Sequence, residues 1–282
     1  MPSGLVLAGG GVAGIAWETG VLRGIEEVDP ALAASLVAAD VVVGTSAGST
    51  VAAQIASGAT LTDLYAAQQA QASEELAVPV DMGTLLDRLT SAADGSRSPE
   101  DLRRRIGAMA TATRTVDEAD RLAVIAGRLP TSEWPDRDVR IVAVDVGSGA
   151  VVVFDRHAGI TLVDAVAASC AVPGVWPPVT IAGRRYMDGG VRSSANADLA
   201  AGCDPVVVLS PASPDAPSLG SSTLGDEVAS LAPAAVAVVS ADSASVAAFG
   251  LNPLDPTTRP SSAATGRAQG RREAARLAAV WS

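Results

Sequence analysis

Three consecutive valines run directly into a serine bracketed by glycines, Val41-Val42-Val43-Gly44-Thr45-Ser46-Ala47-Gly48. A β-branched run without polar alternation suits a strand covered on both faces, the situation of parallel strands joined by helices. The residues that follow, Ser49–Ala56, favour helix, so the segment reads as strand, tight turn and helix. The same unit appears once upstream. Gly4–Leu7 is a short apolar run, Ala8-Gly9-Gly10-Gly11 interrupts it, and a helical pattern from Gly14 to Glu27 places Ile15, Val21, Leu22 and Ile25 on one face. Two such units predict an α/β fold with a largely parallel sheet.

The rest of the chain extends that reading. From Leu61 to Leu129 the pattern is helical throughout, with starts expected at Thr62, Asp81, Ser98 and Thr115. Residues 61–130 are therefore read as a helical insertion or lid within one domain spanning 1–282. Val139–Val146 and Val151–Phe154 predict a hairpin around Gly147-Ser148-Gly149, and Leu162–Cys170 a helix that stops before Pro173. A second small hairpin, Val179–Ile181 and Arg185–Met187 around Ala182-Gly183-Arg184, delivers Asp188. Val206–Leu209 and Ala234–Val239 complete the strands, Ser210–Ser222 is a loop rich in proline, serine and glycine, and Thr265–Val280 is the last helix.

Composition narrows the function classes. A chain of 282 residues with 48% hydrophobic content buries a substantial core without staples. Its two cysteines, Cys170 and Cys203, are too few for a disulfide framework and lack zinc-site spacing, so free core thiols are expected. A formal charge of −11 argues against nucleic acid and against strong adsorption to an anionic membrane, leaving at most peripheral membrane contact. The local exception is Gly250–Ser282, where arginines 259, 267, 271, 272 and 276 outnumber Asp255 and Glu273; a solvated helix face accounts for them. No apolar run is long enough to span a bilayer, and the first 22 residues lack a basic n-region, so a cytoplasmic protein is expected.

Gly44-Thr45-Ser46-Ala47-Gly48 fits the G-x-S-x-G elbow, in which a serine sits on a strained strand-to-helix turn with its hydroxyl exposed to substrate. A serine nucleophile needs a proton acceptor. The one histidine, His157, precedes nothing that would make a serine, acid, histidine order, and it reads as a surface residue beside Arg156. Asp188, in Met187-Asp188-Gly189-Gly190, is the best remaining acceptor, since it ends a strand and two glycines leave its carboxylate sterically open. A turn-capping role for Asp188 is the alternative. A carboxylate of ordinary pKa is a weak base toward a hydroxyl, so burial that raises the pKa would help. Gly9, Gly10 and Gly11 offer backbone N–H groups for a tetrahedral oxyanion, and Gly14 lets the helix behind them pack closely. The spacing Gly9-x-Gly11-x-x-Gly14 also matches a dinucleotide fingerprint, but the second strand ends in Val43-Gly44 without the ribose-binding acid.

An N-terminal glycine turn, the elbow some thirty residues on and a distant Asp-Gly-Gly together resemble the patatin-like phospholipase family. Ala168-Ser169-Cys170-Ala171-Val172-Pro173-Gly174 leading to Tyr186-Met187-Asp188-Gly189-Gly190 is similar to the corresponding family segment, and the similarity runs from about Gly4 to Cys203. The resemblance implies a three-layer α/β/α fold and lipid acyl hydrolysis by a Ser–Asp dyad without metal or cofactor. Ser46 would be the nucleophile, Asp188 the base, and the N–H groups around Gly10 and Gly11 the oxyanion hole. The family usually carries arginine or lysine just before the last glycine of the first motif; this chain has Ala13, which opens neutral glycerides, other acyl esters and thioesters beside phospholipids. An acyltransferase using the same dyad and a non-catalytic lipid- or partner-binding module are the alternatives. The apolar stretches Leu61–Ala72 and Met82–Leu89 would either line an acyl channel or pack the core.

Overall fold

The computed structural model describes residues 1–70, 75–212 and 222–281. It opens with the two expected units: β1 (Gly4–Leu7), α1 (Gly11–Val28), α2 (Pro30–Val37), β2 (Val41–Thr45) and α3 (Ala47–Ala56). Four helices follow, α4 (Leu61–Gln69), α5 (Met82–Ala93), α6 (Pro99–Ala112) and α7 (Glu118–Arg128), and then β3 (Asp138–Asp145), β4 (Val151–Phe154), α8 (Leu162–Ser169), β5 (Val179–Ile181) and β6 (Arg184–Asp188). The chain closes with β7 (Val206–Ser210), α9 (Leu224–Ser230), β8 (Val236–Ser240), α10 (Ser243–Phe249) and α11 (Arg259–Trp281).

All the strands join one sheet in the order β5-β6-β3-β2-β1-β7-β8, with β4 also paired to β3. The segment β3-β2-β1-β7-β8 is parallel throughout, while β4, β5 and β6 run antiparallel to their neighbours. Alternate residues of β1 show why both faces are covered. Leu5 and Leu7 pack with α1, α3 and α11 residues, whereas Val6 and Ala8 pack with Ala197, Ala200 and Leu231 on the opposite side.

Several boundaries move from their expected places. The helical block is not continuous, because residues 75–81 between α4 and α5 are irregular. Asp81 and Ser98 cap their helices as expected, but α4 starts one residue before Thr62, since Thr60 is the hydroxyl that accepts the Asp63 N–H. The helix expected from Thr115 begins at Glu118, and the last helix begins at Arg259, with Pro260 in its first turn where a missing N–H costs nothing. The second hairpin turns on two residues, Ala182 and Gly183, both at positive φ, which draws Arg184 into the strand. Of the loop expected over Ser210–Ser222, residues 213–221 lie outside the described residues, as does Ala72.

Among the described residues, helices α1 and α11 share the most extensive helix–helix contact. A Cβ on Gly20 would lie 2.3 Å from the Ala263 carbonyl oxygen, and one on Gly270 2.1 Å from that of Val21, so glycine on both helices sets their separation. Glu27 closes the rim of this contact with Arg267 and Arg271. The C-terminal arginines 271, 272 and 276 are about half exposed and ion-paired, as a solvated face requires, but Arg259 is buried. Among the described residues no helix is long and apolar enough to cross a membrane.

Candidate active site

Ser46 sits between β2 and α3 with φ 50° and ψ −115°, a left-handed backbone that costs a non-glycine residue about 1–3 kcal/mol. The elbow glycines make that turn sterically possible. A Cβ on Gly48 would stand 2.0 Å from the Leu7 carbonyl oxygen, so only glycine lets α3 start this close to β1. Gly44 is hemmed in the same way by Ser49 and Gly48.

Strand β3 sets Ser46 and Asp188 side by side. Its Val142 pairs with Thr45, the residue before the serine, and its next residue, Ala143, pairs with Asp188. The Ser46 side chain lies close enough to the Asp188 carboxylate to favour its charged form, and the Gly190 N–H donates to Oδ1 of the same group at 2.7 Å. The two glycines therefore do something other than leave the carboxylate open: Asp188 is only 5% exposed, Gly189 is pressed against Val142, and Gly190 supplies a donor. Burial pushes the Asp188 pKa up to about 6, against the opposing pull of the Ser46 hydroxyl, the Gly190 N–H and the Arg121 charge.

The end of α8 holds both groups in place. Ser169 Oγ accepts the Ser46 N–H at 2.9 Å, Cys170 Sγ donates to the Ser46 carbonyl at 3.2 Å, and the Ala171 carbonyl accepts the Asp188 N–H at 3.0 Å. Burial raises the Cys170 thiol pKa, which keeps it a neutral donor. Behind the elbow, Asn196 in a left-handed conformation donates to Thr45 Oγ1 at 3.0 Å and to the Ser193 carbonyl at 2.7 Å.

The glycine turn lies against the serine, and its members differ. The Gly9 N–H donates to the Ser194 carbonyl at 2.7 Å, so this expected oxyanion donor is already engaged. Gly10 and Gly11 have no backbone acceptor for their N–H groups among the described residues. Gly11 has φ +65° and begins α1, so its N–H is one of those a helix start leaves unpaired. Gly14 approaches Ala47 and Pro211, bringing α1 next to α3. Gly11, Ser46 and Ala47 line one narrow cavity of ≈10 Å³, space for about one water, under Arg121, Trp176 and Leu254. The N-termini of α1 and α3 thus converge on one point, where partial positive charge favours a developing oxyanion.

These placements set the site beside known proteins. The profile of the patatin-like phospholipase family matches residues 5–201. The chain belongs to that family. Among solved structures, the type III effector protein ExoU is similar at 17% identity and a TM-score of 0.47, over 98% of this chain and 53% of ExoU. VipD from Legionella pneumophila is similar at 14% identity and a TM-score of 0.40, over 74% of this chain and 50% of VipD. This patatin-like chain spans about half the length of those two proteins. No curated protein matches it.

Three polar residues at this patatin-like site were not anticipated as part of it: Ser169, Asn196 and Arg121. Ser169 lies inside the segment that carries the family resemblance, which was the available signal. Arg121 reaches the site from a distant stretch of chain, Asn196 lies just eight residues beyond Asp188, and no local pattern marks either. His157 is exposed, accepts from Arg156 Nε at 3.3 Å and is not among the residues that line the cavity over Ser46. Among the described residues no cluster of histidine, cysteine and carboxylate side chains is arranged to hold a metal ion.

Proposed function

We propose that this chain is a serine acyl hydrolase that cleaves lipid carboxylic esters through an acyl-enzyme on Ser46. The observation that carries the reading is the placing, through the β3 register, of a strained serine at the start of α3 beside a buried aspartate whose pKa is pushed up to about 6. Asp188 takes the hydroxyl proton as Ser46 Oγ attacks the ester carbonyl, and the N–H groups of Gly10 and Gly11 receive the negative charge on the carbonyl oxygen. Collapse of the tetrahedral intermediate expels the alcohol, which takes the proton from Asp188. Water then attacks the acyl-enzyme with Asp188 again as base, releasing the fatty acid and restoring the serine. Gly9 serves by anchoring the turn, its N–H held on the Ser194 carbonyl and its Cα close beside Ser46.

Helices α4 to α7 act as the cover of this site in the same reading. A second cleft of ≈330 Å³ shares Val12, Ile15 and Arg128 with the cavity over Ser46; Leu64 and Ala67 of α4 border it beside Gln68, Arg259 and the Glu75–Arg128 pair, and an acyl chain would run along its apolar side. Thr84, Leu85 and Arg88 of the Met82–Leu89 stretch line a separate cleft with Gly174, so among the described residues the first of the two apolar stretches is the one that borders this path.

The test is hydrolysis of a chromogenic medium-chain ester, with fluorophosphonate labelling of the purified protein. Ser46→Ala is expected to abolish labelling and lower the rate by about 10³-fold or more. Undiminished turnover by Ser46→Ala overturns the assignment, and a parental protein that neither labels nor turns over supports the non-catalytic alternative instead.

A further inference from the structure

The wall of the cavity above Ser46 carries a charge that the dyad does not use. Arg121, on α7, is only 5% exposed, yet its Nε and Nη1 have no hydrogen-bond partner among the described residues. Its guanidinium lies 3.9 Å over the Trp176 ring, which fixes the plane of the fork and leaves its edge unpaired. The neighbouring arginines differ. Arg128 spends its fork on Glu75, with Nε at 2.7 Å and Nη2 at 2.5 Å, and Arg259 donates to Gln68 and to the Ala67 carbonyl. Burying a guanidinium without a partner is costly, and five N–H donors in a fixed fork match the oxygens of a phosphate or carboxylate. Asp188 is the acid of the proposed dyad; it feels Arg121 only through space and already accepts from the Gly190 N–H. Position 13, the other place for a basic residue near the glycine turn, is a fully buried alanine in the apolar core.

We infer that Arg121 is a specificity residue of this site, binding an anionic group, phosphate or carboxylate, that the ester substrate carries next to its scissile bond. The inference rests on the acyl-hydrolase reading for its kinetic readout. Arg121 approaches from α7 with its stem buried and its face held by Trp176, so an anion on the substrate completes the fork and brings the carbonyl to Ser46 Oγ. A substrate without the anion leaves the fork unpaired in the closed site. The preference is therefore for an acyl ester with an anionic alcohol portion over a neutral glyceride of the same chain length.

The experiment compares kcat/KM for two esters of one fatty acid, a monoacylglycerol and the monoacylglycerol phosphate, in the parental protein, Arg121→Gln and Arg121→Lys. The parental protein is expected to prefer the phosphate-bearing ester. Arg121→Gln should lower the anionic-to-neutral ratio by about 10- to 100-fold, as loss of a charge-assisted bond does, and Arg121→Lys should restore part of it. Melting curves verify that each variant is folded. An unchanged ratio overturns the inference; so does an equal fall on both esters accompanied only by a displaced pH profile, which would make Arg121 an electrostatic neighbour of Asp188. Calorimetry on Ser46→Ala protein separates the sources of the anion. Glycerol phosphate binding that is lost in the Ser46→Ala, Arg121→Gln double variant supports a substrate headgroup. Equal binding of inorganic phosphate alone identifies a free-phosphate site and overturns the substrate role. If the parental protein cleaves neither ester, the acyl-hydrolase reading fails by itself, and the calorimetric pair still decides whether Arg121 holds an anion.

Discussion

Asp188→Asn is expected to stabilise the protein while removing its activity, and the gain should depend on pH. In the folded chain burial raises the Asp188 pKa from its ordinary value of 3.8 to about 6. The native state therefore holds a proton that the unfolded chain has released between those values, and stability falls as pH rises through that window. The difference corresponds to ~3 kcal/mol, absent below pH 3.8 and fully exacted above about 6. An asparagine keeps the acceptor for the Gly190 N–H and never ionises. Allowing for a poorer contact with the Ser46 side chain, the variant should gain about 1–3 kcal/mol near neutral pH, roughly 3–10 °C in Tm. At about pH 5 the parental aspartate is mostly protonated, and ~1.4 kcal/mol of the advantage should vanish. Thermal melts of both proteins at about pH 7.5 and about pH 5 measure this directly. In the parental protein, the proposed dyad predicts that kcat/KM falls on the acid side with half its value near the Asp188 pKa of about 6, because a protonated carboxyl could not accept the Ser46 proton. A variant that melts lower at neutral pH, or whose advantage is the same at both pH values, would refute the claim that a desolvated charge sits at the dyad.

Other perturbations follow from particular contacts. Ser169→Ala removes the acceptor of the buried Ser46 N–H, so a loss of ~1–3 kcal/mol in denaturant melts and about a tenfold fall in kcat are expected. Gly270→Ala would push a methyl to 2.1 Å from the Val21 carbonyl and separate α1 from α11, costing ~3 kcal/mol or more in the same assay. Trp176→Ala empties the wall over Ser46 and frees the Arg121 fork; stability should drop by ~3–5 kcal/mol, with a relative gain for bulkier acyl esters in a chain-length series.

Much of this architecture was legible from local pattern. The unbroken apolar runs at Gly4–Leu7, Val41–Val43 and Val206–Leu209 became the buried parallel strands β1, β2 and β7, since a strand covered on both faces has no polar alternation to hide it. Three short helices escaped notice although their caps are readable: Asp29 before Pro30, Thr223 with Asp226, and Asp242 three residues before Ser245. Their apolar faces are too brief to show a period. The site was legible only in part, for a different reason. Ser46 and Asp188 stand in glycine-rich turns that sequence displays. Their adjacency depends on the β3 register, and their support comes from Ser169, Cys170 and Asn196, whose contacts span more than 120 residues of chain. Arg121 belongs to a helix whose sequence looks like any charged amphipathic segment, and only its burial over Trp176 separates it from a surface arginine.

The glycine seam between α1 and α11 means that the family match and the mechanical unit have different ends. The match stops at residue 201, but α1, whose first residue Gly11 lines the cavity over Ser46, is braced by a helix that begins at Arg259. A chain cut after Ala201 keeps the elbow, the aspartate and the glycine turn, yet β1 loses its β7 neighbour and α1 its brace. Every residue named for chemistry would survive such a cut, and the frame that aims them would not.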